Sequence, residues 1–191
     1  MANIGILGGI FDPPHYGHIA LAEKAVDSLN LNKIICVPSK VPPHKTGRSI
    51  SAENDRLQML AYAIEGKDFC EISNIEIFRE GFSYTADTLK ILKGMHKKDN
   101  LFFIIGADNI AEIENWHEPD EIISQVTVAA FTRPGFSQVG KFSSKIRYFE
   151  MDPVDISSSM IRDLVKEGRS IAGLTPNKVI EYIDIRGLYH A

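Results

Sequence analysis

Short apolar segments alternate with amphipathic segments along most of the chain, and this alternation limits the fold more than any other feature of the sequence. Continuous apolar runs of about four to eight residues are typical of buried strands, and apolar residues spaced three or four apart are typical of helices packed on one face. Strands that alternate with longer helices predict βαβ units. We therefore expect an α/β fold with a mainly parallel sheet that helices cover on both faces.

The alternation defines six strands and six helices. The predicted strands are Asn3–Leu7, Lys33–Val37, Ile72–Phe78, Leu101–Ile105, Val126–Phe131 and Arg147–Glu150. The predicted helices are His18–Leu29, the segment from Ser51 to Ile64, Thr85–Met95, Glu118–Gln125, Ser158–Glu167 and Pro176–Ile185. Ser83 or Thr85 is expected to cap the third helix, and Thr175 the last. No linker or repeat interrupts the pattern, so we expect one domain over residues 1–191.

Composition limits the class of protein. With 44% hydrophobic and 24% charged residues, the chain has enough apolar surface for a core. A net charge of -4 argues against nucleic acid as a partner. No apolar run reaches the roughly 20 residues that cross a bilayer, and no secretory signal is evident. Cys36 and Cys70 are too few for a disulfide framework or a cysteine zinc site. These features predict a cytoplasmic protein with no membrane partner.

The loop after the first strand carries the strongest chemical signal. It reads GGIFDPPHYGH over residues 8–18, and a helix follows it. Gly8 and Gly9 leave backbone N–H groups open to a phosphate, because glycine has no side chain to shield them. Two prolines stiffen the loop and delay the helix until about Tyr16. In a parallel sheet, ligands bind beyond the carboxyl ends of the strands, so this loop lies where a ligand is expected.

His15 and His18 stand three residues apart at the predicted start of that helix. A helix N-terminus favours anions, and two imidazoles that donate hydrogen bonds there suit a polyphosphate whose charge grows during a reaction. Either histidine alone is more often a helix cap or a surface residue. A zinc site is disfavoured because no nearby Cys, Asp or Glu completes a tetrahedral set, and we expect no protein-held metal.

Two other phosphate motifs do not fit the chain. Gly5, Gly8 and Gly9 lack the G-x-G-x-x-G spacing of dinucleotide-binding dehydrogenases. Residues 135–141 (GFSQVGK) match G-x-x-x-x-G-K, but Phe142 replaces the Ser or Thr that would hold Mg²⁺. We interpret this second match as part of a loop.

The first motif resembles that of the nucleotidyltransferase superfamily with an HxGH sequence, and further matches extend over almost the whole chain. They are PPHK at 42–45, GFSYT at 81–85, GAD at 106–108, Trp116, Arg133-Pro134 and ISSSMIR at 156–162. Together they resemble the bacterial nicotinate mononucleotide adenylyltransferases. The resemblance implies a Rossmann-like, doubly wound fold and the joining of ATP to nicotinate mononucleotide, giving deamido-NAD and pyrophosphate in NAD biosynthesis. Ile10 departs from the family, which often has a polar residue there.

The resemblance also implies roles for individual residues. His15 and His18 would bind the ATP phosphates, and His18 would stabilise the transition state. Phe11 would contact the nucleotide through its ring, and Asp108 would bind a ribose hydroxyl. The other residues implied in ATP binding are Gly8, Gly9, Gly106, Ile156, Ser157, Ser158 and Arg162. Simpler interpretations stay open, since the two serines are also a good helix cap and Asp108 could cap a helix.

A second group would bind nicotinate mononucleotide. His44 and Lys45 would reach its phosphate, Trp116 would stack on the pyridine ring, and the N–H groups around Thr85 would donate to its carboxylate. Arg133 belongs to the same group. A solvated loop for His44 and Lys45, and a core position for Trp116, are the alternatives.

This chemistry needs no protein nucleophile, because the phosphate of nicotinate mononucleotide is largely dianionic at neutral pH. Mg²⁺ would accompany the ATP phosphates and keep its water ligands, without a dedicated protein cage.

Another adenylyl- or cytidylyltransferase, such as phosphopantetheine adenylyltransferase, is the main alternative, followed by a non-catalytic nucleotide sensor. The sequence leaves open the choice between acid and amide substrates and whether the chain forms a homo-oligomer.

Overall fold

The computed structural model describes residues 1–40, 50–110, 112–136 and 140–190. A sheet of six parallel strands forms its centre, in the order β3-β2-β1-β4-β5-β6. The strands are β1 (Asn3–Gly9), β2 (Lys33–Pro38), β3 (Cys70–Ile72), β4 (Asn100–Gly106), β5 (Thr127–Thr132) and β6 (Ile146–Glu150). The predicted mainly parallel sheet is confirmed.

Helices connect the strands from β1 to β5, a short 3-10 turn (Ser143–Lys145) precedes β6, and two helices follow β6. The helices are α1 (Tyr16–Leu29), α2 (Glu53–Ala63), α3 (Thr85–Met95), α4 (Ala107–Ile110), α5 (Pro119–Gln125), α6 (Ser158–Lys166) and α7 (Asn177–Arg186). Within the described residues, no helix is both long and apolar enough to span a membrane.

The strand order reverses between β1 and β4, which are hydrogen-bonded neighbours at the middle of the sheet. From β1 the chain first moves outward to β2 and β3, and then returns to build β4, β5 and β6 on the other side. Connections that leave in opposite directions open a crevice at the carboxyl ends of the two central strands. The fold therefore places the loop after β1 beside this crevice.

Alternate residues of the central strands enter two separate apolar layers, as the period of two in a strand requires. Ile6 and Phe103 pack under α3 and α5 on one face of the sheet. Leu7 and Ile104 pack under α1 and α2 on the other face. The predicted covering of both faces by helices is confirmed.

A third apolar cluster joins α2 to the two last helices. Met59 and Ala63 of α2 pack against Ile161 of α6 and Val179 and Ile183 of α7. The segment after β6 is thereby fixed against the side of the sheet where α1 begins.

The predicted strand Ile72–Phe78 is wrong. Only Cys70–Ile72 pairs with β2, and the chain then turns, with the Phe78 N–H donating to the Asn74 carbonyl at 3.2 Å. The apparent alternation failed because Glu76 and Ile77, although adjacent, are both buried. The hydroxyl of Thr88 on α3 donates to Oε1 of Glu76 at 2.7 Å, so one oxygen of this buried carboxylate has a partner.

Two predicted helix caps are also wrong. Tyr84 occupies the cap position of α3, so neither Ser83 nor Thr85 caps it through a side chain. Pro176 occupies the cap position of α7. The Thr175 hydroxyl instead donates to the Pro14 carbonyl at 2.8 Å, because this side chain is fully buried against the loop after β1.

Candidate active site

A cleft of about 680 Å³ opens over the carboxyl ends of β1 and β4. It lies at the point where the strand order reverses, as expected for a ligand site in an open parallel sheet. The predicted site residues that line it are Gly8, Gly9, His15, His18, Thr85, Gly106, Trp116, Arg133, Ile156, Ser157, Ser158 and Arg162.

The loop of residues 8–18 brings the N-terminus of α1 to this cleft. The helix begins at Tyr16, and His15 is its cap residue with an extended backbone. Both histidines therefore lie in the first turn, where the partial positive charge of the helix is concentrated. The predicted placement of His15 and His18 at a helix N-terminus is confirmed.

The two imidazoles form one unit. Their ring centres are 3.8 Å apart and their planes are inclined by 36°. The backbone N–H of His15 donates to Nδ1 of His18 at 3.2 Å. Because Nδ1 of His18 accepts this bond, the proton of the neutral ring lies on Nε2. His18 is thus held in the tautomer that presents an Nε2–H donor.

Burial keeps these rings uncharged at neutral pH. It lowers the pKa of His15 to about 4. Burial, and then repulsion from a charged His15, lower the pKa of His18 well below its usual range. Both rings are therefore neutral hydrogen-bond donors at pH 7, and a bound anion would favour their protonation.

The low pKa of His15 predicts how stability depends on pH. Between its ordinary value of 6.5 and its folded value of about 4, the unfolded chain binds a proton that the folded protein does not. The stability from this group is therefore complete above pH 6.5 and is lost as the pH falls towards 4. When the pH is lowered from about 7 to about 4.5, the unfolding free energy of the parent should fall about 2–3 kcal/mol further than that of His15→Gln, which lacks the titrating ring. Urea titrations at the two pH values measure this difference, and equal losses would contradict it.

Gly17 has no side chain, and the His15 ring occupies the space where one would lie. A Cβ atom on this residue would lie 2.9 Å from Nδ1 and 3.0 Å from Cε1 of His15. Such distances are shorter than normal contacts, so a larger residue would displace the imidazole. The glycine between the two histidines therefore serves the placement of His15.

The segment after β6 holds the loop of residues 8–18 in place through hydrogen bonds to its backbone. The Ser158 hydroxyl donates to the Pro13 carbonyl at 2.8 Å, and Nη1 of Arg162 donates to the Asp12 carbonyl at 2.6 Å. The Ser157 side chain accepts from the Met160 N–H and caps α6, so the structure confirms capping by the first of the two serines. Ser158 and Arg162 also line the cleft, which adds a hydroxyl and a guanidinium to the same site as the imidazoles.

A buried arginine that sequence reasoning did not assign to the site ties three segments together. Arg56 is 1% exposed and donates to the carbonyls of Ile10, Ser39 and Ser51 at 2.8, 2.7 and 3.1 Å. Burial lowers the pKa of Arg56, and the nearby Asp12 opposes that effect. The signal that could have revealed it is a charge on the face of α2 that carries Met59 and Ala63.

Four predicted site residues are buried away from the cleft, lie outside the described residues or are described only in their backbone. The Phe11 ring is 2% exposed, packs in the apolar layer under α1 and is not among the residues that line the cleft, so its contact with the nucleotide stays a prediction. Phe11 has a positive φ of 53°, which turns its side chain away from the cleft. His44 and Lys45 lie outside the described residues, and of Asp108 the structure describes only the backbone, at the start of α4.

The other half of the cleft is aromatic. Trp116 is half-buried, and its ring meets Phe103 edge-on at 6.1 Å, so it belongs to the core and also lines the cleft. Tyr84 and His117 also line the cleft, with ring centres 4.1 Å apart and planes inclined by 33°. Thr85 begins α3 on the same side. These residues bring aromatic side chains next to a helix N-terminus, which fits an aromatic ring that carries an acidic group.

The comparison with protein families agrees with this geometry. The model described as cytidylyltransferase-like matches residues 6–164, which include the loop after β1 and the start of α6. The chain belongs to the cytidylyltransferase-like family. This membership confirms the resemblance that the sequence motifs indicated.

Curated relatives resemble the chain over its full length. A Geobacillus thermodenitrificans protein named "Probable nicotinate-nucleotide adenylyltransferase" is 44% identical over 191 residues, which is 100% of this chain and 88% of the relative. A Clostridium tetani protein of the same name is 39% identical over 199 residues, with 99% of this chain and 100% of the relative covered.

Solved structures show the same fold. The Plasmodium falciparum nicotinic acid mononucleotide adenylyltransferase complexed with NaAD matches with a TM-score of 0.83 at 23% identity, covering 99% of this chain and 98% of that one. The same enzyme complexed with APC matches with a TM-score of 0.81. The predicted Rossmann-like, doubly wound fold is confirmed.

Proposed function

We propose that the protein transfers the adenylyl group of ATP to nicotinate mononucleotide, forming deamido-NAD and pyrophosphate. The observation that carries this proposal is the pair of neutral imidazoles of His15 and His18 at the N-terminus of α1, facing a cleft with an aromatic far side. The names of the full-length relatives support the same activity.

The reaction is a direct adenylyl transfer at the α-phosphorus of ATP. An oxygen of the nicotinate mononucleotide phosphate attacks the α-phosphorus of ATP, and a new P–O bond forms as the bond to the β-phosphate oxygen breaks. The leaving pyrophosphate keeps the electron pair. The attacking phosphate is largely dianionic at neutral pH, so no general base is required. The protein must position two anions in line and stabilise the charge on the leaving group.

The residues around α1 are suited to that second task. The Nε2–H of His18 would donate to the phosphate oxygens where negative charge develops, and His15 would contact the same triphosphate. Arg162 and Ser158 line the same cleft and would add a guanidinium and a hydroxyl to the groups around the triphosphate. The positive end of α1 adds a fixed field that needs no rearrangement during the reaction.

Mg²⁺ would arrive with the ATP phosphates rather than in a protein cage. Among the residues that the structure describes, no group of three or more His, Cys, Asp or Glu side chains is arranged to hold a metal ion. The donors around His15 and His18 are imidazole, hydroxyl and guanidinium groups, which suit anions. When bound to the triphosphate, Mg²⁺ would neutralise part of its charge.

The acceptor nucleotide would occupy the aromatic side of the cleft. The pyridine ring would stack on Trp116, and its carboxylate would accept hydrogen bonds from the backbone N–H groups around Thr85 at the start of α3. Arg133 lies at the rim, paired with Asp155 at 3.2 Å, and would meet the same substrate. His44 and Lys45 would contact its phosphate. A carboxylate at a helix N-terminus is favoured over a neutral amide, which supports the acid as the substrate.

Trp116→Ala tests this arrangement. Loss of the indole face removes the stacking platform but leaves the phosphate side untouched, so we expect KM for nicotinate mononucleotide to rise about tenfold or more, as stacking energies of about 1.5 kcal/mol imply. KM for ATP should change little. Steady-state kinetics with each substrate varied in turn measures the split, and equal changes would mean that Trp116 acts only as a core residue.

A pyrophosphate-release assay tests the proposed function itself. ATP is offered with nicotinate mononucleotide, nicotinamide mononucleotide or phosphopantetheine, with the purified chain in each case. We expect turnover with nicotinate mononucleotide, and less with its amide. Turnover with phosphopantetheine alone would favour the main alternative, and ATP binding without turnover of any acceptor would favour a nucleotide sensor. A cytoplasmic location and the oligomeric state stay predictions.

A further inference from the structure

We propose that Tyr189 is a positioning residue for the reaction, acting through the Asp12 carboxylate to hold the loop that carries His15 and His18. Its kinetic consequences rest on the proposed function, but its effect on the two imidazoles does not. Tyr189 lies 177 positions from Asp12 in sequence, and the two side chains meet at 2.6 Å.

The end of α7 turns the chain so that this contact can form. Gly187 adopts a left-handed conformation with φ 60°, and the Leu188 N–H donates back to the Ile183 carbonyl at 3.0 Å. This glycine-dependent helix end reverses the chain. Tyr189 follows with φ 67°, and its ring packs into the cluster that joins α2, α6 and α7. The reversal delivers the tyrosine hydroxyl to the loop after β1.

The hydroxyl is held as a hydrogen-bond donor. Asp12 is 3% exposed, and its Oδ1 accepts from Tyr189 while its Oδ2 accepts from the Ser51 N–H at 3.2 Å. Burial, and then the negative charge of Asp12, raise the pKa of Tyr189 far above its usual value. The phenol therefore keeps its proton, and both carboxylate oxygens have a partner. A buried hydrogen bond to a charged group is among the stronger kinds.

Asp12 connects this contact to the reacting groups. Its carbonyl accepts from Nη1 of Arg162 at 2.6 Å, and Arg162 lines the cleft. Between Asp12 and His15 lie only Pro13 and Pro14, whose rings fix the backbone φ angles. The Asp12 carboxylate anchors this part of the loop, so a shift of the Asp12 backbone is passed to Arg162 through the carbonyl and to His15 through a stiff segment. Tyr189 itself does not line the cleft.

The chain offers a matched control. Tyr182 on α7 also donates to a buried carboxylate, Oδ1 of Asp55 on α2, at 2.8 Å. This pair joins two helices, and neither residue lines the cleft. Tyr182→Phe and Tyr189→Phe thus remove the same atom from the same kind of bond. They differ in whether the carboxylate belongs to the loop that carries the histidines.

The test compares the two variants by kinetics, thermal unfolding and histidine NMR. We expect both to lower Tm by a few degrees. Tyr189→Phe should lower kcat about tenfold and shift the ring signals of His15 and His18 in the ligand-free protein, whereas Tyr182→Phe should leave kcat and these signals unchanged. In an Asp12→Asn background, Tyr189→Phe should have less than half of its effect on log kcat, because the partner through which it acts is already altered.

Equal effects of the two variants on kcat, or unmoved histidine signals in Tyr189→Phe, would overturn the proposal and leave Tyr189 a structural residue. Full additivity with Asp12→Asn would overturn it as well. If the parent protein has no adenylyltransferase activity, the proposed function fails, and the histidine spectra then decide the positioning role alone.

Discussion

His18→Ala is expected to lower kcat by about 10²–10³ while the fold survives. The Nε2–H of His18 is aimed at the cleft by the hydrogen bond from the His15 N–H to Nδ1, so the donor costs no rearrangement when the leaving pyrophosphate gains charge. The loss of one such preorganised donor has this magnitude in other enzymes. KM for ATP should change less than kcat, since the contact is stronger in the transition state than in the bound substrate. Steady-state kinetics on the purified variant measures both.

His96→Ala is the control for this substitution. His96 follows α3, pairs with Asp99 at 3.4 Å and does not line the cleft, so its loss should leave kcat unchanged. Thermal unfolding should show both variants folded. Near-normal turnover of a folded His18→Ala variant would remove His18 from the proposed role.

Arg56→Met is expected to cost about 3–5 kcal/mol of unfolding free energy, a large fraction of the stability of a domain. The guanidinium is the donor for three backbone carbonyls, those of Ile10, Ser39 and Ser51. Without the guanidinium, each of these carbonyls loses a hydrogen-bond donor, and the buried carboxylate of Asp12 loses its neighbouring positive charge. Methionine fills a similar volume, so the loss reports the polar contacts. Urea unfolding at pH 7 measures it.

Arg186→Met provides the comparison. Arg186 also meets an aspartate, with Nε 3.0 Å from Oδ1 of Asp55, but its side chain is 55% exposed. The Arg186 side chain is largely in solvent, and Asp55 keeps its hydrogen bond from the Tyr182 hydroxyl, so this substitution should cost much less than Arg56→Met. Arg56→Lys should lie between the two, because an ammonium keeps the charge but cannot reach three carbonyls in the geometry of a guanidinium. A loss below about 1 kcal/mol for Arg56→Met would contradict the role assigned here.

Local patterns were sufficient to predict most of the sheet. The apolar run Leu101–Ile105 lies within β4, and Lys33–Val37 within β2, because strands buried on both faces read as continuous apolar segments. The strand prediction for Ile72–Phe78 was wrong because its alternation of apolar and polar residues does not come from strand pairing: only Cys70–Ile72 pairs with β2. The buried carboxylate of Glu76 accepts a hydrogen bond from the Thr88 hydroxyl on α3. This contact joins two segments, so no local pattern contains it.

The candidate site divides in the same way. His15 and His18 were predictable because the charge of a helix N-terminus and the spacing of the two rings are both local properties. The supports of their loop were not, since Thr175, Ser158 and Tyr189 reach it from more than 140 positions away. Phe11 was assigned to the nucleotide by its place in the motif. Its backbone conformation, which turns the ring into the core, is set by the tertiary packing under α1.

Histidine NMR in the presence of ATP tests the central claim most directly. The imidazole nitrogens are labelled with ¹⁵N and the protein is held at about pH 7. The ligand-free spectrum should then show the rings of His15 and His18 as neutral, with His18 protonated at Nε2. Addition of MgATP should shift the nitrogen signals of both His15 and His18, while those of His96 stay in place. ATP binding that is confirmed calorimetrically but leaves both active-site rings unshifted would contradict the binding of the triphosphate by these imidazoles.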